Sequence, residues 1–288
     1  MKLHLTRPEN PKLQGNIRIT GSKSESNRLL LLQANYKDVR IENLSNSDDT
    51  RVMQQALASG ESLLDIHHAG TAMRFLTAYL ATKQGSEVTL TGSERMKQRP
   101  IQILVEALRQ LGADISFVET PGCPPLKIHG SRLEGTEVTL PANVSSQYIS
   151  ALLLIAPTLP QGLLLTLEGQ ITSLPYIKMT LGLLNRLGIQ TEMEGNHIRV
   201  YPKREIPSQT LVVESDWSSA SYYYSIMALA ARGSRIMLQS YRRDSLQGDS
   251  VLRQIYEELG VRSNFEGDQL ILTREETQPV SHLSLNLM

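Results

Sequence analysis

The chain has 288 residues, 40% apolar and 20% charged, with 29 Lys and Arg balanced by 29 Asp and Glu. That is about two domains' worth of chain. Its apolar content excludes a disordered protein, and its zero net charge argues against a general nucleic-acid binder, which carries a basic excess. The single cysteine, Cys123, excludes a disulfide scaffold and a cysteine-built metal cluster. No apolar run reaches the ~18 residues of a membrane span. Met1 to Gln14 carries Arg7, Pro8, Glu9 and Pro11 with no apolar signal core, so a soluble cytoplasmic protein is expected.

Along the chain, Gly21-Ser22-Lys23-Ser24-Glu25-Ser26-Asn27-Arg28 leads into the apolar run Leu29 to Leu32. A helix beginning near Ser24 aims free N–H groups and its positive dipole end at an anion, with Lys23 and Arg28 adding fixed charge. The other reading is an ordinary Ser24 cap beside two solvated cations. Asp48-Asp49 before Thr50 to Leu57 reads as dipole-matched capping. Ala69-Gly70-Thr71-Ala72 opens a helix through Met73 to Ala81, with Arg74 one turn on. Gly70 either admits a ligand close to the backbone or serves a plain cap. Arg95-Met96-Lys97-Gln98-Arg99-Pro100 puts three cations ahead of a helix whose first turn suits Pro100. Cations there oppose the dipole, which favours an anionic partner over a random charge run. Further on, Ser145-Ser146-Gln147 precedes the helix Tyr148 to Ile155, and Ser173-Leu174-Pro175-Tyr176 offers a cap with a nearby phenol. Each is a cap or a site. Asp216 reads as a capping carboxylate before Ser218-Ser219-Ala220-Ser221, and Tyr222-Tyr223-Tyr224 as partly buried helix surface.

Three segments share one phrase: Leu104 to Gly112, Leu181 to Gly188 and Leu252 to Gly260 are apolar-periodic helices stopped by Gly. The glycines fall 76 and 72 residues apart. After the helices come strands at 126–128, 198–200 and 270–272, then at 138–140, 211–213 and 283–285, and the first two sets deliver the chain to a small-polar loop and a new helix. The unit is helix, strand, helix, three strands over about 74 residues, longer than the solenoid repeats of 20–50 residues. A duplicated, layered α/β lobe fits it. The first copy is abbreviated by one or two strands, since about ten residues separate Gly60 from Gly70 where later copies have over thirty. The last copy stops with its third strand, in mid-architecture. No metal constellation is visible, because His67-His68 lacks a partner at ligand spacing. Five helix starts carry anion-compatible groups in a neutral chain, and a small polyanionic substrate explains that better than nucleic acid does.

At these residues the sequence resembles the 5-enolpyruvylshikimate-3-phosphate synthase family, the 3-phosphoshikimate 1-carboxyvinyltransferases. The likeness runs from about Leu3 to Met288 through Gly21 to Arg28, Ala69 to Arg74, Arg95-Met96-Lys97 with Arg99-Pro100, Ser145-Ser146-Gln147 and Ser173 with Pro175-Tyr176. Asp216 with Ser218 to Ser221 and Gln247-Gly248-Asp249 complete it. The sister UDP-N-acetylglucosamine enolpyruvyl transferases have Lys-Asn in place of Lys23-Ser24 and a reactive Cys loop that this chain lacks.

The resemblance implies an α/β, two-lobed enolpyruvyl transferase fold of repeated βαβαββ units, with a substrate cleft between the lobes. Residues 21–214 would form a complete first lobe, and 1–20 with 215–288 an incomplete second. The reaction implied moves the enolpyruvyl group of phosphoenolpyruvate to the 5-hydroxyl of shikimate 3-phosphate by addition and elimination, releasing phosphate, without metal or organic cofactor. Lys23 would be catalytic and touch both substrates. Gly70, Arg99 and Gln147 would hold phosphoenolpyruvate, where glyphosate also binds in this family. Ser24, Arg28, Ser145, Ser146, Gln147, Ser173 and Tyr176 would hold shikimate 3-phosphate. A monomer acting on small anions, with no nucleic-acid or membrane partner, is expected. His68 departs from the family's usual Asn, which bears on an amide contact to phosphoenolpyruvate. Phe75 departs from a frequent Pro, which bears on the helix carrying Gly70. The family's catalytic Asp and its later Lys-Glu, Arg and His-Arg motifs lie beyond Met288, so the 288 residues alone are expected to be inactive. A non-catalytic shikimate-3-phosphate-binding module is the alternative. A third reading, an RNA 3'-phosphate cyclase on a similar repeated fold, is weakened by the neutral charge and missing motifs.

Overall fold

A computed structural model describes residues 12–276 and Ser284. Two compact units share the chain: Lys23–Val212, and Met1–Ser22 with Val213–Met288. It opens with β1 (Gln14–Ile17), α1 (Lys23–Asn35), β2 (Val39–Glu42) and α2 (Asp48–Ala58). A first complete copy follows: β3 (Leu63–Asp65), α3 (Gly70–Ala81), β4 (Glu87–Thr91), a one-turn α4 (Glu94–Lys97), α5 (Gln102–Gln110), β5 (Asp114–Phe117) and β6 (Leu126–His129). The second copy is β7 (Glu137–Pro141), α6 (Ser146–Ile155), β8 (Leu163–Glu168), α7 (Leu174–Arg186), β9 (Thr191–Glu194) and β10 (His197–Val200). The third is β11 (Gln209–Val212), α8 (Trp217–Leu229), β12 (Arg235–Leu238), α9 (Leu252–Glu257), β13 (Val261–Glu266) and β14 (Gln269–Arg274).

Each copy is a βαβαββ unit. The first two make four-stranded sheets of one topology, β3-β4-β6-β5 and β7-β8-β10-β9, with one parallel pair and an antiparallel hairpin. After α2 the chain passes straight to β3, so the abbreviated copy lacks both hairpin strands. The strand expected at 283–285 lies outside the described residues except for Ser284, which is in no element.

The phrase-ending glycines are helix stops. Gly112 has φ +98° and Gly188 φ +74°. Gly112 N–H donates to Arg109 O and Ala113 N–H to Leu108 O, and Gly188 and Ile189 repeat this on Asn185 and Leu184. These are paired Schellman bonds, which close the last carbonyls only when the residue after the cap is left-handed, a conformation glycine adopts without strain. Gly260, φ +74°, follows α9, and its N–H donates to Glu257 O at 2.9 Å.

One feature of the topology breaks the repeat. By analogy with β3-α3-β4 and β7-α6-β8, β1 should pair with β2 and β11 with β12. Instead β1 runs parallel to β12, Gln14 opposite Arg235, and β11 parallel to β2, Gln209 opposite Val39. The two copies have exchanged first strands. Where the chain passes between units, the segments 19–22 and 214–216 bond to each other: Ser22 N–H to Glu214 O at 2.9 Å, Asp216 N–H to Thr20 O at 3.1 Å and Ser215 Oγ to Ile19 O at 2.8 Å.

In the unit 23–212, α3 and α6 are buried along nearly every residue and α1 along Glu25–Leu32. Helices apolar all round are interior helices, and each of Leu29 to Leu32 contributes about 1.5–3 kcal/mol by burial. The other unit packs α8 on one sheet, β1-β12-β14-β13, around Trp217, Tyr224, Tyr241 and Leu270.

Candidate anion site at four helix N-termini

Four helices of the unit 23–212 start at one level, and Arg28 fixes that level. Its Nε donates to Thr180 Oγ1, its Nη2 to Ser150 Oγ and its Nη1 to Ser24 O, each at 2.8 Å. The rings of Phe75 and Tyr176 flank the guanidinium, with centroids 5.5 and 5.8 Å from Cζ. Arg28 is the sixth residue of α1, Phe75 the sixth of α3 and Ser150 the fifth of α6, while Tyr176 and Thr180 are the third and seventh of α7. At 1.5 Å rise per residue, the four N-termini therefore lie about 8 Å above Arg28 and within about a turn of one another. A second contact agrees: Gln147 Nε2 donates to Thr71 Oγ1 at 3.3 Å, joining the second residues of α6 and α3.

Alignment of this kind sums four positive dipole ends on one face. Two of those ends lack side-chain caps: Ala69 before α3 has none to offer, and Ser173 before α7 makes no cap bond. The first-turn N–H groups of α3, Leu174 N–H and the Ser173 hydroxyl remain for a ligand, since Pro175 has no N–H and Tyr176 N–H donates to Ser173 O. Ser145 does cap α6, accepting from Gln147 N–H at a long 3.4 Å. Ser24 and Ser146 are half-buried in the first turns of α1 and α6, Lys23 is exposed at the first position of α1, and Tyr176 is 45% exposed.

Fixed cations deepen the field. Burial lowers the Arg28 pKa to about 10, with Tyr176 and Glu25 pulling the other way, yet the guanidinium stays charged near neutral pH. Arg74 is lowered too, by burial first and then by the charge of Arg99. Arg74 donates to Gly70 O and Pro100 O, both at 3.2 Å, and Tyr148 Oη donates to the same Pro100 O at 2.6 Å. The loop carrying Arg99 is thus pinned to α3 and α6. Arg99 lies flat on Gly70: a Cβ there would come within 2.9 Å of Nη2 and 3.0 Å of Cζ. A larger residue at this position would push the guanidinium aside. Arg74, Tyr148, Ser150 and Thr180 were not in the predicted site. Their signal was polar residues inside apolar helical runs, at positions i+4 from Gly70, Ser146 and Tyr176.

The basic loop differs from its expected form. Arg95 and Lys97 do not stand at the N-terminus of α5; they belong to α4, which Ser93 caps, and sit toward its C-terminal end, where cations match the dipole. Lys97 is paired with Glu94 at 3.3 Å and Glu119 at 3.2 Å. Pro100 lies two residues before α5 and acts through its carbonyl. Only Arg99 of the three faces Gly70. Phe75 does not disturb α3, which runs unbroken through it, and its ring is a wall for Arg28. His68 is exposed beside the α3 N-terminus, after His67, whose left-handed backbone (φ +49°) is held by Asp65 Oδ1 at 2.8 Å.

In the other unit the motif residues brace structure. Asp216 caps α8, accepting from Ser219 N–H at 2.8 Å. Glu214 accepts from Trp217 Nε1, Arg242 N–H and Ser245 Oγ at 2.7–2.9 Å. Gln247 bridges Trp217 N–H and Ser215 O, and Ser218 bonds Asp249. Of the tyrosine run, Tyr222 is exposed, Tyr223 half-buried and Tyr224 fully buried. Among the described residues there is no group of three or more His, Cys, Asp or Glu placed to hold a metal, and no helix long and apolar enough to cross a membrane.

The sequence model of EPSP synthase (3-phosphoshikimate 1-carboxyvinyltransferase) matches residues 54–287. A 3-phosphoshikimate 1-carboxyvinyltransferase of Bacteroides fragilis (strain YCH46) is 46% identical over 267 residues, 92% of this chain and 65% of the relative. Its counterpart in Edwardsiella ictaluri (strain 93-146) is 36% identical, covering 92% of this chain and 68% of the relative. In structure, the EPSP synthase from Acinetobacter baumannii superposes with TM-score 0.75 at 21% identity, covering 94% of this chain and 67% of that one. The chain spans 65% of the length of the Bacteroides relative, and it belongs to the EPSP synthase (3-phosphoshikimate 1-carboxyvinyltransferase) family.

Proposed function

We propose that this chain binds shikimate 3-phosphate and phosphoenolpyruvate on its face of helix N-termini, as the substrate-binding part of an enolpyruvyl transferase. The observation that carries this is the common level of α1, α3, α6 and α7 around Arg28, with Arg99 laid on Gly70. Two anionic substrates need two positive subsites side by side, and the residues fall into two groups. Ser24, Arg28, Ser145, Ser146, Gln147, Ser173 and Tyr176 surround the Arg28 side and suit shikimate 3-phosphate. Gly70, Arg99 and Gln147 surround the α3 terminus and suit phosphoenolpyruvate. Lys23, at the head of α1, is the fixed cation that touches both.

In the reaction the 5-hydroxyl adds to C2 of phosphoenolpyruvate as C3 takes a proton; the tetrahedral intermediate then loses a C3 proton and phosphate. Charge builds on phosphate and carboxylate oxygens, which preorganised cations and N–H dipoles stabilise. The proton transfers call for acid–base groups within hydrogen-bond reach. The relatives are a third longer or more, and we assign those groups to the portion that this chain does not match. We read residues 21–214 as one lobe and 1–20 with 215–288 as part of a second, in a cytoplasmic monomer; the compact division near residues 22 and 213 supports the boundary.

The test measures shikimate 3-phosphate binding by calorimetry and phosphate release from both substrates, with Lys23→Met as control. Salt-sensitive binding without phosphate release is expected. Absence of binding by folded protein would remove the proposal, and turnover abolished by Lys23→Met would show that the 288 residues suffice.

A further inference from the structure

At the opposite end of the same helices lies a cavity of about 670 Å³, within the size range of small-molecule sites. It opens where α1, α3 and α6 end, and corresponding turns of the three copies line it: Asn35-Tyr36, Thr82 to Gln84 and Pro157 to Pro160. Lys83, Arg132, Lys203 and Arg204 also line it, and no carboxylate does.

Helix C-termini attract cations, so dipole matching alone could account for such charges. Three details go further. Lys83, Lys203 and Arg204 have no ion pair among the described residues, while Arg132 pairs with Glu134 at 2.8 Å. Lys83 Nζ donates to Asn35 Oδ1 at 3.0 Å. That bond fixes the Asn35 amide, since flipping it would set two donors face to face, and it leaves Asn35 Nδ2 buried without an acceptor among the described residues. Ser131 Oγ, also in the lining, is buried without a partner too. Dipole matching satisfies carbonyls and does not require four cations to line one cavity free of carboxylates. Partial burial also lowers the pKa of Lys83, whose ammonium lies 4.0 Å from the Tyr79 ring centroid.

We propose that this cavity is a second binding site, taking a small polyanion whose phosphate or carboxylate oxygens meet the charges of Lys83, Lys203 and Arg204. It is a helix length away from the N-terminal face, about 18 Å for twelve residues, and stands independently of the function proposed above.

The full 288-residue chain, isotope-labelled, is titrated with pyrophosphate and, separately, citrate, and its backbone amides are followed by NMR. The two probes separate phosphate from carboxylate preference. At least one should give saturable shifts at residues 82–84, 131–133 and 203–204. Lys83→Met and the double variant Lys203→Ala/Arg204→Ala should each weaken that binding tenfold or more. Arg99→Ala should leave it unchanged while reducing shifts at Gly70 and Thr71. If Lys83→Met does not fold, the surface double variant decides. Shifts confined to the Gly70 end, or equal affinity in the folded variants, would overturn the proposal.

Discussion

The inner helices of the two units start from the same repeat and end in different surroundings. In the unit 23–212, α3 leaves none of its apolar side chains exposed, because α1, α6 and the sheets close around it. In the other unit α8, at the same position of its copy, buries Trp217, Ala220, Tyr224 and Met227 against one sheet. Its far side exposes Tyr222 at 72%, Ile226 at 47% and Leu229 at 72%, a stripe at i, i+4 and i+7. An amphipathic pattern is a relation between a helix and its neighbours. A sequence apolar on all sides is satisfied by several packed copies and only half satisfied by one.

Several substitutions test that contrast, beginning with the greatest effect. Trp217→Ala should cost about 3–5 kcal/mol, enough to melt a one-sheet core, and proteolysis should then cut within 213–276 while 23–212 stays protected. Equal loss of protection in both units would show them to be one cooperative block. For Arg28→Met, we expect affinity for shikimate 3-phosphate to fall about a hundredfold in calorimetry. The thermal midpoint should fall only by a few degrees, because Ser150 and Thr180 can still bond to each other at 3.0 Å while Ser24 O and the buried Glu25 lose a cation. A large fall in midpoint would mean that Arg28 is chiefly a structural clamp.

Alkaline pH should separate the units as well. Burial pushes the Tyr224 pKa to about 12, and Tyr241 higher still, with Asp216 and Glu214 adding to it. Above pH 10 the unfolded chain ionises these phenols and the folded chain does not, so the folded state holds more protons and stability falls as pH rises. For Tyr224 alone the loss reaches about 2 kcal/mol by pH 12. In the unit 23–212, burial raises Tyr36 to about 12 and raises Tyr79 as well, but no phenol there is pushed as high as Tyr241. Fluorescence of Trp217, the chain's one tryptophan, should therefore change at lower pH than far-ultraviolet helicity; coincident transitions would contradict the difference between units. Gly70→Ala should displace Arg99 and weaken phosphoenolpyruvate binding about tenfold, with stability changed by about 1 kcal/mol or less. The mildest test is Tyr222→Ser/Ile226→Ser/Leu229→Ser, expected to raise solubility and to shift stability by about 0.5 kcal/mol per site. A severe loss would show that the stripe is covered.

Local chemistry was legible from residue order. Leu-Gly helix stops, the Asp216 cap, the small-polar openings of α1, α3 and α6, and the doubled hairpin copies all depend on backbone dihedrals and hydrogen bonds spanning a few residues. What only the tertiary structure decided involves partners far apart in the chain. The exchange of β1 and β11 is invisible to a period, since each strand looks alike whichever neighbour it takes. Which cation of 95–99 remains for a ligand turned on Glu119 reaching Lys97 across 22 residues. That Arg28 belongs to a site turned on Ser150 and Thr180, 122 and 152 residues away, setting four helix ends level. Short-range rules place each helix start, and only long-range packing aligns them into one charged face.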